Sequence, residues 1–165
     1  MNDSLSIFST GIVTYKDLLE RLGELQSLLT SNQASNSISI NKEIYQIMAR
    51  YGVREEQLSP IIPSSEQEVF VKKIIDYLKS LPVVKITLAF VPTEDFSEVV
   101  AKQLEDSLGK KIVLDITTNQ SIVGGLQIEF SGKYKDYSLG PKLEEYLKRK
   151  QSAQLGNSNG VKEVK

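Results

Sequence analysis

The 165-residue chain contains no cysteine, no histidine and no tryptophan. Those absences exclude disulfides, thiolate nucleophiles, zinc centres built from Cys or His, Ser-His-Asp triads and histidine acid–base chemistry. Charge of one sign is also missing: 20 Lys+Arg stand against 21 Asp+Glu, a formal net charge of −1. A nucleic-acid binder normally shows a basic excess, and none is present. Long hydrophobic runs are absent too, so no stretch of about 18 uncharged apolar residues is available to cross a bilayer. The first residues, Met-Asn-Asp-Ser-Leu-Ser-Ile-Phe, lack the basic start and apolar core of a signal peptide and the arginine-rich character of a transit peptide, so a cytoplasmic location is expected. What remains is ordinary globular usage, 40% hydrophobic and 25% charged, enough for one domain or two small ones. Asp, Glu, Lys, Tyr and hydroxyls are left for chemistry, which leans toward a binding or structural role.

The hydrophobic period changes near Leu81-Pro82. Before it the spacing is helical. Thr14 can cap a helix over about residues 15–30, with Asp17 favoured in the first turn by the helix dipole. Leu18, Leu22, Leu25 and Leu29 then form one apolar stripe, widened by Leu19 and Leu28. Residues 30–37 read as a polar linker. Asn41 is expected to cap a short helix carrying Ile44, Ile47, Met48 and Tyr51, with Gly52 at its left-handed end, and 53–58 adds a helical turn. Pro60 and Pro63 mark a break. Ser65 and Glu68 form a capping box for a helix running to about Ser80, with Phe70, Ile74, Tyr77 and Leu78 along one side.

From Val84 the period is two. Val84, Ile86, Leu88 and Phe90 point one way, and Lys85, Thr87 and Ala89 the other. A helix opens at Pro92-Thr93-Glu94-Asp95, is expected to bury Phe96, Val99, Val100, Leu104 and Leu108 as one stripe, and ends at Gly109. Strands follow at Ile112/Leu114/Ile116, at Leu126/Ile128/Phe130 and, after a tight Ser131-Gly132 turn, at 133–137. Pro141 starts a last helix whose apolar face is Leu143, Tyr146 and Leu147. The fold class is therefore α+β: a small helical N-terminal domain (1–82), a β-α-β-β-(β)-α mixed-sheet domain (83–150) with a parallel right-handed first crossover, and a loose tail (151–165).

Several constellations have chemical and plain readings. Gly109-Lys110-Lys111 has the reverse order of a phosphate-binding loop, a helix ending before a strand, and reads as a helix cap. Gly124-Gly125 lacks the third glycine of a dinucleotide loop and reads as a bulge or a close backbone approach. Glu94-Asp95 and Glu105-Asp106 read as a helix N-terminus and a solvated face rather than as a carboxylate pair for hydrolysis or metal binding. Asp136 reads as a turn residue. Residues 133–150 carry six basic and three acidic side chains, which leaves a small RNA-binding α/β module as an alternative, although no aromatic interleaving supports base stacking. An enzyme using carboxylates or lysine would need a deep pocket of convergent polar groups. No catalytic, metal-binding or cofactor-binding residue is assigned.

Four ordered pieces go further: Leu108-Gly109-Lys110-Lys111-Ile112-Val113-Leu114, Ile122-Val123-Gly124-Gly125-Leu126-Gln127-Ile128, Lys135-Asp136-Tyr137-Ser138 and Lys142-Leu143-Glu144-Glu145-Tyr146-Leu147. Over about residues 83–150 the chain resembles the C-terminal part of the delta subunit of F-type ATP synthases, whose mitochondrial counterpart is the oligomycin-sensitivity-conferring protein. The family's N-terminal bundle usually has six helices and opens with an Arg-x-Tyr-Ala segment. Here about 80 residues support three or four helices without that opening, and Leu139-Gly140-Pro141 replaces an arginine-containing entry to the last helix. The resemblance implies a non-catalytic adaptor with no cofactor. It would grip the N-terminal segments of the alpha subunits and dock the C-terminal coiled coil of the b subunit, holding the catalytic head against rotor torque. Its place would be the cytoplasmic side of the membrane, which it meets only through the complex. The partner-binding candidates are Leu18, Leu22, Leu25 and Leu29 on one face and Leu143, Tyr146 and Leu147 on another. Gly124, Gly125 and Asp136 are structural candidates.

Overall fold

In the computed structural model, which describes residues 3–34, 40–63 and 66–157, a helical region is followed by a mixed β-sheet with interspersed helices. A 3-10 helix (Asp3–Ser9) precedes α1 (Tyr15–Ala34), α2 (Ile40–Ala49), α3 (Glu55–Leu58) and α4 (Gln67–Lys79). Then come β1 (Val83–Leu88), α5 (Glu94–Leu108), β2 (Val113–Thr118), β3 (Leu126–Phe130), β4 (Lys133–Asp136) and α6 (Gly140–Asn157). The chain divides into two units. The first holds residues up to Val84 with Thr93–Asp115, and the second holds Lys85–Pro92 with the residues from Ile116 onward.

In the first unit, Thr14 and Asp17 cap α1 reciprocally. Thr14 Oγ1 accepts from Asp17 N at 3.3 Å, and Asp17 Oδ2 accepts from Thr14 N at 2.7 Å and Val13 N at 3.1 Å. The helix continues through Ala34, past the point where the linker was expected, because Ser, Thr and Gln side chains tolerate helix when nothing breaks it. The rest of that linker, 35–37, lies outside the described residues. Asn41 stands inside α2 rather than at its cap, and its Nδ2 donates to Pro63 O at 3.4 Å. Gly52 has φ +76°. Ser65 lies outside the described residues; the N-cap of α4 is Glu66, in the left-handed region at φ 57°.

The core of this unit gathers Phe8 and Ile12 from the N-terminal segment, Leu18, Leu22, Leu25 and Leu28 from α1, Ile44 and Met48 from α2, Leu58 from α3, and Val71, Ile74, Ile75 and Leu78 from α4. Phe8 meets Phe70 edge-on, ring centroids 5.8 Å apart. Leu19, expected to widen the α1 stripe, is instead exposed. Helix α5 buries Ser97 and Ala101, while Val99 and Leu108 face solvent. Its inward line is thus Ser97, Ala101 and half-buried Leu104, at helical spacing, and small residues let the helix approach closely. Thr93 caps it, accepting from Phe96 N at 3.3 Å, and Gly109 ends it at φ 64°. Glu105, expected on a solvated face, pairs with Lys111 at 2.8 Å and accepts from Ile112 N.

The sheet order is β2-β1-β3-β4. Bonds from Val113 N to Pro82 O and from Asn119 N to Leu88 O advance in the same direction along both strands, so β1 and β2 run parallel. The pairings β1–β3 and β3–β4 are antiparallel, with Ile86 opposite Ile128 and Glu129 opposite Tyr134. Ser131 (φ 50°) and Gly132 (φ 73°) make the two-residue hairpin turn, whose twist requires positive φ at both positions. Val84, Ile86 and Leu88 are buried as the alternation requires, but Phe90 lies past the end of β1 and is exposed. Ile112, Val113 and Leu114 are all buried, so the entry to β2 is covered on both faces. Leu114 N also donates to Val13 O at 2.9 Å, which covers the outer edge of β2. The opposite edge, β4, is open and carries Lys133 and Lys135, charges that discourage edge-to-edge pairing. Helix α6 continues through 157, into the segment expected as a loose tail; residues 158–165 lie outside the described residues.

Candidate functional site

The two leucine-rich faces picked out in the sequence have opposite fates. Leu18, Leu22 and Leu25 are buried in their own helical core, and Leu29 is packed against it. They hold the first unit together and present no free surface. In the second unit, Leu143, Tyr146 and Leu147 are 46%, 53% and 49% exposed. Every residue of α6 from 141 to 150 is exposed. Leu139, exposed one turn before Leu143, extends the strip, so 139, 143, 146 and 147 fall at helical spacing on one face. Leu139 was hidden from sequence reasoning because it precedes Gly140-Pro141 and looks like loop. Val123, exposed in the loop before β3, joins it: Leu139 N donates to Val123 O and to Gly124 O, both at 3.2 Å.

The strip has a charged rim. Arg149 binds Glu145 at 2.6 Å, and Lys150 Nζ sits 5.2 Å from the Tyr146 ring centroid. Lys142 and Lys148 add positive charge. An apolar line bordered by cations is chemically suited to an amphipathic partner rather than to a reaction. Among the described residues no group of three or more His, Cys, Asp or Glu gathers at one place.

Gly124, Gly125 and Asp136 lie at the foot of α6. The two glycines have φ 66° and 83°, and a Cβ on Gly125 would overlap the Tyr137 carbonyl oxygen. Asp136 Oδ1 accepts from Ser138 N at 2.7 Å, and its Oδ2 accepts from Gln127 Nε2 at 3.2 Å. The Ser138 hydroxyl and amide, helped by Gln127 and Tyr134, hold the Asp136 carboxyl below the ordinary carboxylate range. A group with a depressed folded value contributes stability above its unfolded value and loses it as pH falls through the folded one. The Ser138 amide is therefore expected to keep its exchange protection as pH drops through the usual aspartate range, and to lose it only in stronger acid. A pH series of amide exchange checks this; loss of protection centred at the ordinary aspartate value is the contrary result.

A family model described as ATP synthase delta (OSCP) subunit matches residues 69–149. Those residues belong to the delta/OSCP family. The match begins inside α4 and so takes in part of the helical region as well as the sheet. A curated relative, ATP synthase subunit delta of Fervidobacterium nodosum, is 23% identical over 145 residues, covering 79% of this chain and 80% of its own length. A chain in a cryo-EM structure of the Polytomella F-ATP synthase is 23% identical, with a TM-score of 0.38, covering 47% of this chain and 99% of that one. Delta/OSCP subunits are non-catalytic components of the peripheral stalk, and the match supports that general role. No helix among the described residues is long and apolar enough to cross a membrane.

Proposed function

We propose that the chain ties the catalytic head of an F-type ATP synthase to the stalk formed by the b subunit, on the cytoplasmic face of the membrane, and that α6 makes the contact with that stalk. The observation behind this reading is the exposed line that runs from Leu139, just before α6, to Leu143, Tyr146 and Leu147 on a helix with no buried side chain between 141 and 150. Four large apolar groups at helical spacing match the apolar seam of a coiled coil. The helical region, placed at residues 1–82 from the sequence, would take the N-terminal segments of the alpha subunits. Its surface offers an open groove of about 790 Å³ with Leu5, Pro60, Ile61, Phe70 and Tyr77 among its walls. The leucines of α1 act there indirectly, by building the bundle that carries the groove.

The RNA-binding alternative gains no support. The sheet face that would stack bases holds Lys85 opposite Glu129 and Gln127 opposite Asp136, and its aromatic residue is Tyr134. Two carboxylates against one lysine repel a phosphate backbone.

Two titrations of the full chain test the proposal, one with a peptide from the C-terminal end of the b subunit and one with a peptide from the N-terminal end of the alpha subunit. Saturable binding of both is expected, and binding of neither overturns it. Tyr146→Ala should weaken the complex with the stalk peptide roughly 30-fold, as truncating a central aromatic anchor costs about 2 kcal/mol. Because Tyr146 is exposed, the far-UV spectrum should not change.

A further inference from the structure

Helix α6 is 18 residues long, and every residue from 141 to 150 is exposed. With none of these residues buried, side-chain packing does little to fix its direction along that length. What fixes it lies just before it, where the segment after β4 crosses the loop before β3. Tyr137 N donates to Leu126 O at 2.8 Å, and Leu139 N is shared between Val123 O and Gly124 O. Ser138, between them, is 7% exposed and held by Asp136. The crossing is close enough that Gly125 has no room for a side chain, while one on Gly124 would press on the movable end of Leu139. A Cβ on Gly125 would stand 2.9 Å from Ser138 Cα, and one on Gly124 would stand 3.0 Å from Leu139 Cδ1. Ala89 N donates to Gly125 O at 3.4 Å, so the loop is rooted in turn at the end of β1.

We propose that the Gly124-Gly125 loop and the Asp136–Ser138 turn form a latch that aims α6, making Gly125, Asp136 and Ser138 positioning residues for partner docking. This deepens the stalk-docking reading and rests on it. The lever is long: at 1.5 Å rise per residue the helix spans about 27 Å, so a tilt of ~10° at its foot moves the far end by roughly 5 Å. Tyr146 and Leu147, about 10 Å along the helix, move by roughly 2 Å, enough to spoil their fit to a rigid partner. The latch therefore governs affinity through residues that touch no partner. Asp136 supplies the acceptor that closes the turn, and Gly125 supplies the missing volume that lets the two backbones cross.

The native absence of cysteine makes the test direct. Spin labels on Lys85→Cys and Glu144→Cys in the otherwise intact chain report the direction of α6 by double electron–electron resonance. The parent should give one narrow distance distribution. Asp136→Ala should widen it about twofold and weaken binding of the stalk peptide about tenfold. Asp136→Asn, which keeps an acceptor oxygen for the Ser138 amide, should restore both. Gly125→Ala should widen the distribution as Asp136→Ala does. Distributions as narrow as the parent's in Asp136→Ala and Gly125→Ala overturn the latch. If the parent binds no stalk peptide, the docking reading fails, and the distance widths still decide the latch by themselves.

Discussion

Arg21→Ala is expected to destabilise the helical unit by about 3–5 kcal/mol, more than any other single change to its polar groups. Arg21 is 1% exposed, a cation inside an apolar core. Its Nη1 donates to Phe8 O at 3.1 Å and approaches Met48 Sδ at 3.3 Å, while Nη2 donates to Thr10 O at 3.2 Å. The guanidinium carbon lies 3.5 Å from the Tyr51 ring centroid. One side chain thus joins the N-terminal segment, α1 and the end of α2. Burial pulls its pKa below the ordinary arginine value, and Tyr51 and Glu24 push it back. Arginine stays charged under such a shift, so the charge is buried in fact. Removing it leaves the Phe8 carbonyl without a donor, at about 1–3 kcal/mol for a buried unpaired group. It also forfeits a desolvated cation–π contact of about 2 kcal/mol and opens a cavity. Glu24 suffers less, because Arg50 holds it at 2.7 Å. Arg21→Lys should fall between parent and alanine, since one ammonium cannot serve two carbonyls and a ring as a planar fork does. Urea unfolding followed by circular dichroism reads the change; a loss under about 1 kcal/mol for Arg21→Ala would show that the clamp is incidental.

That residue also marks where sequence reasoning stopped. Positions 18, 21, 22 and 25 share one face of α1, so the stripe of leucines already placed Arg21 inward. A charge there reads as an interruption of the stripe, because the partners that satisfy it are carbonyls of Phe8 and Thr10 and a ring at Tyr51, all distant in sequence. Local signals fared better. The Thr14–Asp17 cap, the Gly109 helix end and the Ser131-Gly132 hairpin depend on neighbours within a few residues, and the structure carries all three. The exposed face of α5 was not legible. Periodicity ranks Val99 and Leu108 above Ser97 and Ala101, but close approach of a helix rewards small side chains over large ones. For the docking surface, the spacing of Leu143, Tyr146 and Leu147 gave the face. Whether that face is buried at home, as on α1, or left open, as on α6, depends on tertiary packing that no local pattern records.

The second large effect is expected at Gly11, and three glycines of the helical unit together isolate its cause. Gly11 has φ +76°, and a Cβ there would stand 2.7 Å from Tyr51 Cδ1 and 3.3 Å from its Cβ and Cγ. Gly11→Ala therefore adds left-handed strain of about 1–2 kcal/mol to an overpacking cost of about 1–3 kcal/mol, for a total of about 2–5 kcal/mol. Gly52 has the same φ with nothing within 4 Å, so Gly52→Ala should cost the strain alone. Gly23 lies inside α1 with open space around it, and Gly23→Ala should stabilise by up to about 1 kcal/mol through helix propensity. The order Gly23, Gly52, Gly11 in urea midpoints separates propensity, backbone strain and collision. Gly11 and Arg21 also share one neighbour, the Tyr51 ring. A methyl group at 11 displaces the ring on which Arg21 stacks, so Gly11→Ala already forfeits part of what Arg21→Ala removes. The double variant should lose about 1 kcal/mol less than the sum of the singles. Strict additivity would mean that Tyr51 can move away from Gly11 without leaving the guanidinium, and that the N-terminal segment is fastened at two independent points rather than through one ring.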